Sequence, residues 1–175
     1  MAGASRRRER VDVLCEGRHL RLLKRGKWEY VERHGRAQGV MIVAVTPDGR
    51  LLLVEEYREP ARARVLSLPA GLVGDEGHPE PARVAARREL REETGYSARV
   101  LRLLGGGPVS PGLASERVTF FLARGLRRLG DPTGEEEITV RAVPLGRVRE
   151  FARRRARAGL QIHPLLWAGL YLASL

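Results

Sequence analysis

The chain has 175 residues, of which 43% are apolar and 30% charged, with a formal net charge of +11 at pH 7. That length suits one domain of the usual ~100–200 residues, and the composition excludes a collagen-like chain, full disorder and, with no 18-residue apolar run, a membrane span. All but two of the 32 cations are arginine, and most alternate with acids or apolar residues. Such a pattern describes a solvated basic surface that attracts anionic small molecules, and it argues against a dedicated nucleic-acid site.

The basic start, Met1 to Arg10, has no apolar stretch after it, so no secretory signal is read and a cytoplasmic protein is expected. Val11–Cys15, His19–Lys24 and Trp28–Arg33 alternate apolar and polar residues around Gly17 and Gly26, which predicts three short antiparallel strands. Cys15, the single cysteine, is read as a small strand residue. Gly39–Thr46 and Arg50–Tyr57 flank Pro47-Asp48-Gly49, a hairpin signal. Val65–Pro69 is a further strand, and Pro79-Glu80-Pro81 opens a helix that runs to about Thr94, with Gly95 at its C-terminal cap. Ala98–Leu104, Arg117–Ala123 and Ile138–Val143 read as strands, with Gly105–Ser115 as a loop. Leu145–Ala158 is predicted as a basic amphipathic helix and Ile162–Leu175 as an apolar one. Strands, a central helix, more strands and closing helices fit an α/β sandwich with a mixed sheet. The first three strands have no evident place in that sheet and are expected to form a small lobe, residues 1–36, that packs on a partner.

The central helix carries Glu89, Glu92 and Glu93 near its end. At 100° per residue these three fall on one face, where they repel one another unless a cation or the neighbouring Arg87, Arg88 and Arg91 neutralise them. Hard divalent ions favour such carboxylate clusters together with substrate phosphate. Reading outward gives Gly74-x5-Glu80-x7-Arg88-Glu89-Leu90-x-Glu92-Glu93-x-Gly95-Tyr96. Nine positions at that spacing arise by chance on the order of 10⁻⁷ per start point. This stretch, residues 74–96, resembles the full box of the Nudix hydrolases.

The resemblance implies one domain over residues 1–175 with the family's α/β/α sandwich, the lobe 1–36 forming the contact of a homodimer. It implies Mg²⁺- or Mn²⁺-dependent hydrolysis of a nucleoside diphosphate derivative, with Glu89, Glu92 and Glu93 as metal ligands and Arg88 holding the rotamer of a box glutamate. Glu80 is expected to steady the loop into the helix, and Gly74 and Gly95 to allow the turns at its ends. Ser67-Leu68-Pro69-Ala70-Gly71-Leu72, Tyr57-Arg58 and Ser110-Pro111-Gly112 are similar to stretches of the ADP-ribose pyrophosphatase branch. That adds the carbonyl of Ala70 as a metal ligand, Arg58 as a phosphate contact, and Pro111, Gly112 and Glu116 as substrate neighbours. The catalytic base of that branch precedes a late strand, which points to Glu136 and then Glu135 in Gly134-Glu135-Glu136-Glu137. Trp28 lies in the segment that stacks on adenine in related enzymes, although a core or interface tryptophan reads as well; the four histidines receive no role.

Two departures stand out: Ser67 replaces a glutamate common in that branch, and Glu55-Glu56 replaces Arg-Gln. They leave the metal residues intact and bear on which sugar half is accepted. The expected reaction is therefore ADP-ribose to AMP and ribose 5-phosphate, with another NDP-sugar (GDP-mannose, UDP-glucose) or FAD as the alternative. A catalytically silent nucleotide- or RNA-binding module is the reading from a different class.

Overall fold

The computed structural model describes residues 10–35, 38–74, 79–134 and 137–175. Eleven strands are assigned among them: β1 (Val11–Glu16), β2 (Leu20–Arg25), β3 (Trp28–Arg33), β4 (Gln38–Val45), β5 (Arg50–Arg58), β6 (Ala63–Ser67), β7 (Ala70–Leu72), β8 (Tyr96–Pro108), β9 (Arg117–Arg128), β10 (Thr139–Pro144) and β11 (Gln161–Ile162). The helices are α1 (Ala82–Thr94), α2 (Val148–Arg157) and α3 (Pro164–Leu172). β1 to β3 form a separate antiparallel sheet, and the larger sheet runs β11-β6-β5-β4-β9-β8, with β10 paired to β5 and β7 to β4. It is mixed: β4–β9 and β11–β6 are parallel and the other pairs antiparallel.

Strand alternation sends successive side chains to opposite faces. Val40, Ile42, Ala44, Leu52 and Phe121 pack under Ala85, Ala86 and Leu90 of α1. Met41, Val43, Leu51, Leu53 and Leu66 pack against Val148 and Ala152 of α2 and Leu166 of α3. The result is the expected α/β/α sandwich with a small antiparallel lobe. No helix among the described residues is long and apolar enough to cross a membrane.

Several elements differ from the sequence reading. Gly105, Gly106 and Gly107, expected in a loop, extend β8 opposite Phe120, Thr119 and Val118 after a bulge at Leu103/Gly105. A side chain at Gly106 would collide with the Val118 carbonyl, so glycine here serves close strand approach. Ala70-Gly71-Leu72 forms β7 by pairing with Met41, Val40 and Gly39. The last helix starts later than expected, because Gln161–Ile162 joins the sheet beside β6 and the His163 Nδ1 accepts the Leu165 N–H, capping α3. The small lobe meets the body through Val31, whose N–H donates to the Leu113 carbonyl and whose carbonyl accepts the Ser115 N–H.

Gly95 closes α1 at φ +74, its N–H donating to the Arg91 carbonyl, and a β-carbon there would overlap the Gly130 carbonyl. Gly95→Ala combines the left-handed penalty of about 1–2 kcal/mol with a clash against backbone that cannot rotate away. The expected loss of stability is more than about 2 kcal/mol, read as a lowered urea midpoint; an unchanged midpoint would contradict the close approach.

Candidate active site

Pro81, in extended conformation, precedes α1, and an alanine- and arginine-rich sequence carries the helix to the Gly95 cap. This places Arg88 between the loop before the helix and the helix's own acids. Its Nη2 donates to the Leu72 carbonyl at 3.0 Å and to Glu80 Oε1 at 2.9 Å, while Nη1 donates to Glu89 Oε1 at 2.8 Å and Glu92 Oε2 at 3.1 Å. Burial works against the arginine's charge, yet Glu80, Glu89 and Glu92 outweigh it and hold the guanidinium more firmly protonated than usual. Arg88 thus orients two box glutamates through a fork that lysine could not reproduce.

Glu80 also accepts the Gly74 N–H at 3.0 Å, which ties the start of the box to its helix. The hydrogen bond from Arg88 lowers its carboxyl below the ordinary range, against burial and with help from Gly74.

β7 runs directly beneath the helix. The Ala70 N–H donates to Glu93 Oε2 at 3.0 Å, and a β-carbon on Gly71 would fall on the Glu89 carboxylate. Burial drives the Glu93 carboxyl well above its usual range; the Ala70 N–H opposes this, Glu56 and Glu89 add to it, and Arg58 pulls it down. A buried carboxyl facing two other acids ionises readily only beside a strong positive charge. The donor chemistry of Glu89, Glu92 and Glu93 therefore fits a hard divalent ion. Among the described residues, no group of three His, Cys, Asp or Glu side chains is already arranged to hold one, and Arg88 serves as the counterion to Glu89 and Glu92.

The remaining residues singled out in the sequence fall in three places. Arg58 ends β5 and ion-pairs with Glu56 on the α1 face. Pro111, Gly112 and Glu116 lie in the loop between β8 and β9, a turn in which the Ser110 carbonyl accepts the N–H groups of Leu113 and Ala114. Trp28 is 56% exposed on β3, in the separate small sheet. Glu135 and Glu136 lie outside the described residues. The chain just before them is anchored to the helix, since the N–H groups of Thr133 and Gly134 both donate to the Glu92 carbonyl.

The two substituted acids at 55 and 56 part company. Glu55 points to the opposite face, where Arg141 and Arg155 pair with it and fasten α2 to the sheet, so it is remote from the carboxylates of α1. Gly71, given no role from the sequence, and Glu56, read there only as bearing on the sugar half, both belong beside those carboxylates. A period of two along β5 was the signal that separates Glu56 from Glu55.

The family model for the NUDIX domain matches residues 35–162. The chain is 37% identical over 129 residues to an ADP-ribose pyrophosphatase of Mycobacterium tuberculosis, covering 74% of this chain and 60% of that protein. It is 36% identical over 116 residues to an ADP-ribose pyrophosphatase of Bacillus subtilis, covering 66% and 60%. The matches thus span about 60% of the length of these curated relatives. In architecture it is similar to a crystal structure of an ADP compounds hydrolase, with a TM-score of 0.69 at 23% identity over 94% of this chain and 90% of that one.

Proposed function

The chain belongs to the NUDIX domain family, and from that premise we propose that it is a Mg²⁺- or Mn²⁺-dependent pyrophosphohydrolase that cleaves ADP-ribose to AMP and ribose 5-phosphate. The observation that carries this reading is β7 laid against two box glutamates, Ala70 bonded to Glu93 and Gly71 in contact with Glu89. Glu89, Glu92 and Glu93, with the Ala70 carbonyl, would hold the metal. A divalent ion there neutralises the pyrophosphate and lowers the pKa of water. Arg88 keeps Glu89 and Glu92 in place, and Arg58 binds a phosphate oxygen through its remaining donors. Glu136, or else Glu135, takes the proton from the attacking water, a role supported by the anchoring of Thr133 and Gly134 to the end of α1. Pro111, Gly112 and Glu116 are further substrate contacts.

The same proposal takes residues 1–175 as one domain working as a cytoplasmic homodimer, closed through the small lobe. Val13, Leu14, Leu20 and Trp28 are exposed there, and apolar surface of that kind suits a second copy of the chain. In a dimer Trp28 is available to stack on adenine. Another NDP-sugar is favoured as the second reading by one feature, Ser67, which is buried on the α1 face where branch members carry glutamate.

Phosphatase-coupled release from ADP-ribose, GDP-mannose, UDP-glucose and FAD, with Mg²⁺ and then Mn²⁺, tests the reading. Preference for ADP-ribose is the expected result. Preference for another sugar nucleotide moves the specificity argument to Ser67, and absence of turnover with every compound overturns the assignment.

A further inference from the structure

Glu56 and Arg58 stand two residues apart near the end of β5 and so share a face, the one on which Leu52 packs against α1. Tyr57 between them is exposed on the other side. The Glu56 side chain is 4% exposed and that of Arg58 47%, and Nη2 of the arginine donates to Oε1 of the acid at 2.5 Å. Both charges are felt by Glu93, and the charge of Arg58 is also felt at His163, the cap of α3. Arg58 therefore stands half-exposed at the end of β5, tied to an acid sunk into its own strand.

A carboxylate buried close to Glu93 is costly, because desolvation and like-charge repulsion both oppose it. Its bond to Arg58 uses a donor on Nη2 and, among the described residues, leaves Nε and Nη1 for a ligand. A half-exposed arginine without such a tie loses rotamer freedom each time it binds. Ser67 cannot supply the tie. It shares the face, one step along the register where Val54 pairs with Ser67 and Glu56 with Val65, but its hydroxyl donates to the Leu68 carbonyl.

We propose that Glu56 is a positioning residue whose buried carboxylate holds Arg58 ready for the diphosphate of the substrate. The proposal rests on the pyrophosphohydrolase reading above. It assigns a function to one of the two departures near Tyr57: the acid at 56 braces the phosphate-binding arginine, while the acid at 55 fastens α2.

The test is a double-mutant cycle on binding of the non-hydrolysable α,β-methylene analogue of ADP-ribose with Mg²⁺, followed by calorimetry. Glu56→Ala is expected to weaken binding about tenfold, the scale of one charge-assisted hydrogen bond. Because the acid acts through the arginine, the double variant should bind no worse than Arg58→Ala alone. Glu56→Gln, which keeps an acceptor, should recover most of the loss. With ADP-ribose itself the change should fall on KM, with kcat held within about threefold. Costs that simply add, or an unchanged Kd for Glu56→Ala, overturn the brace. Should Glu56→Ala fail to fold, Glu56→Val takes its place in the cycle. A parent that binds the analogue but hydrolyses nothing sinks the enzymatic reading and leaves the cycle readable. A parent that does not bind it overturns both.

Discussion

Glu93→Gln is expected to lower turnover by about a thousandfold while leaving the fold intact. The amide oxygen can still accept the Ala70 N–H that Glu93 Oε2 accepts at 3.0 Å, and the volume is unchanged, so the helix end keeps its packing. What disappears is one negative charge from the proposed ligand set. Charge stabilisation by a bound ion amounts to several kcal/mol, and about 4 kcal/mol corresponds to about three decades in rate. The same variant should be more stable than the parent when no divalent ion is added. Burial, Glu56 and Glu89 raise the Glu93 carboxyl, so keeping an acid at this position costs folding free energy at neutral pH, where the unfolded chain carries it ionised. That cost is full above the folded pKa, shrinks as pH falls below it and is gone only below the ordinary carboxyl range of the unfolded chain. The difference in thermal midpoint between variant and parent should therefore narrow on acidification. Added Mn²⁺ should raise the parent's midpoint and barely move that of the variant. Turnover within tenfold of the parent would refute Glu93 as a metal ligand.

Elements whose cause is local were legible in the chain. The β4–β5 hairpin follows from Pro47-Asp48-Gly49 between apolar runs, and α1 from its proline entry and the glycine at φ +74 that ends it. The carboxylate face of α1 was legible because spacing on a helix determines which residues are neighbours. Elements defined by distant partners were not. β7 is three residues long and exists because Ala70, Gly71 and Leu72 meet Met41, Val40 and Gly39. Gly105 to Gly107 look like loop in one dimension and become strand only opposite β9. The same limit hid Glu56, whose meaning depends on α1, Ala82–Thr94, arriving later in the chain to cover one face of β5. Glu55, next to it, is drawn to the other face by two arginines from β10 and α2.

Gly71→Ala is the sharper probe of how β7 builds the site, because it adds one methyl group and no charge. The backbone of Gly71 is ordinary strand, which alanine adopts without strain. The new carbon, however, would occupy the space of the Glu89 carboxylate. A glutamate side chain can swing aside, so the fold should survive with its thermal midpoint within a few degrees. The carboxylate cannot stay, and moving it breaks the 2.8 Å bond from Arg88 as well as removing a proposed ligand. Turnover should fall by at least about a hundredfold, close to the loss of a preorganised catalytic contact. Gly107→Ala, where an added carbon meets nothing within 4 Å, is the control and should change neither activity nor stability. Shortening the acid tests the cause: in the Gly71→Ala background, Glu89→Asp makes room for the methyl, so the double variant should be no worse than Glu89→Asp alone. Independent, multiplying losses would mean that the methyl acts on something other than Glu89. Retention of turnover within about threefold in Gly71→Ala would mean that the carboxylate of Glu89 does its work from another position.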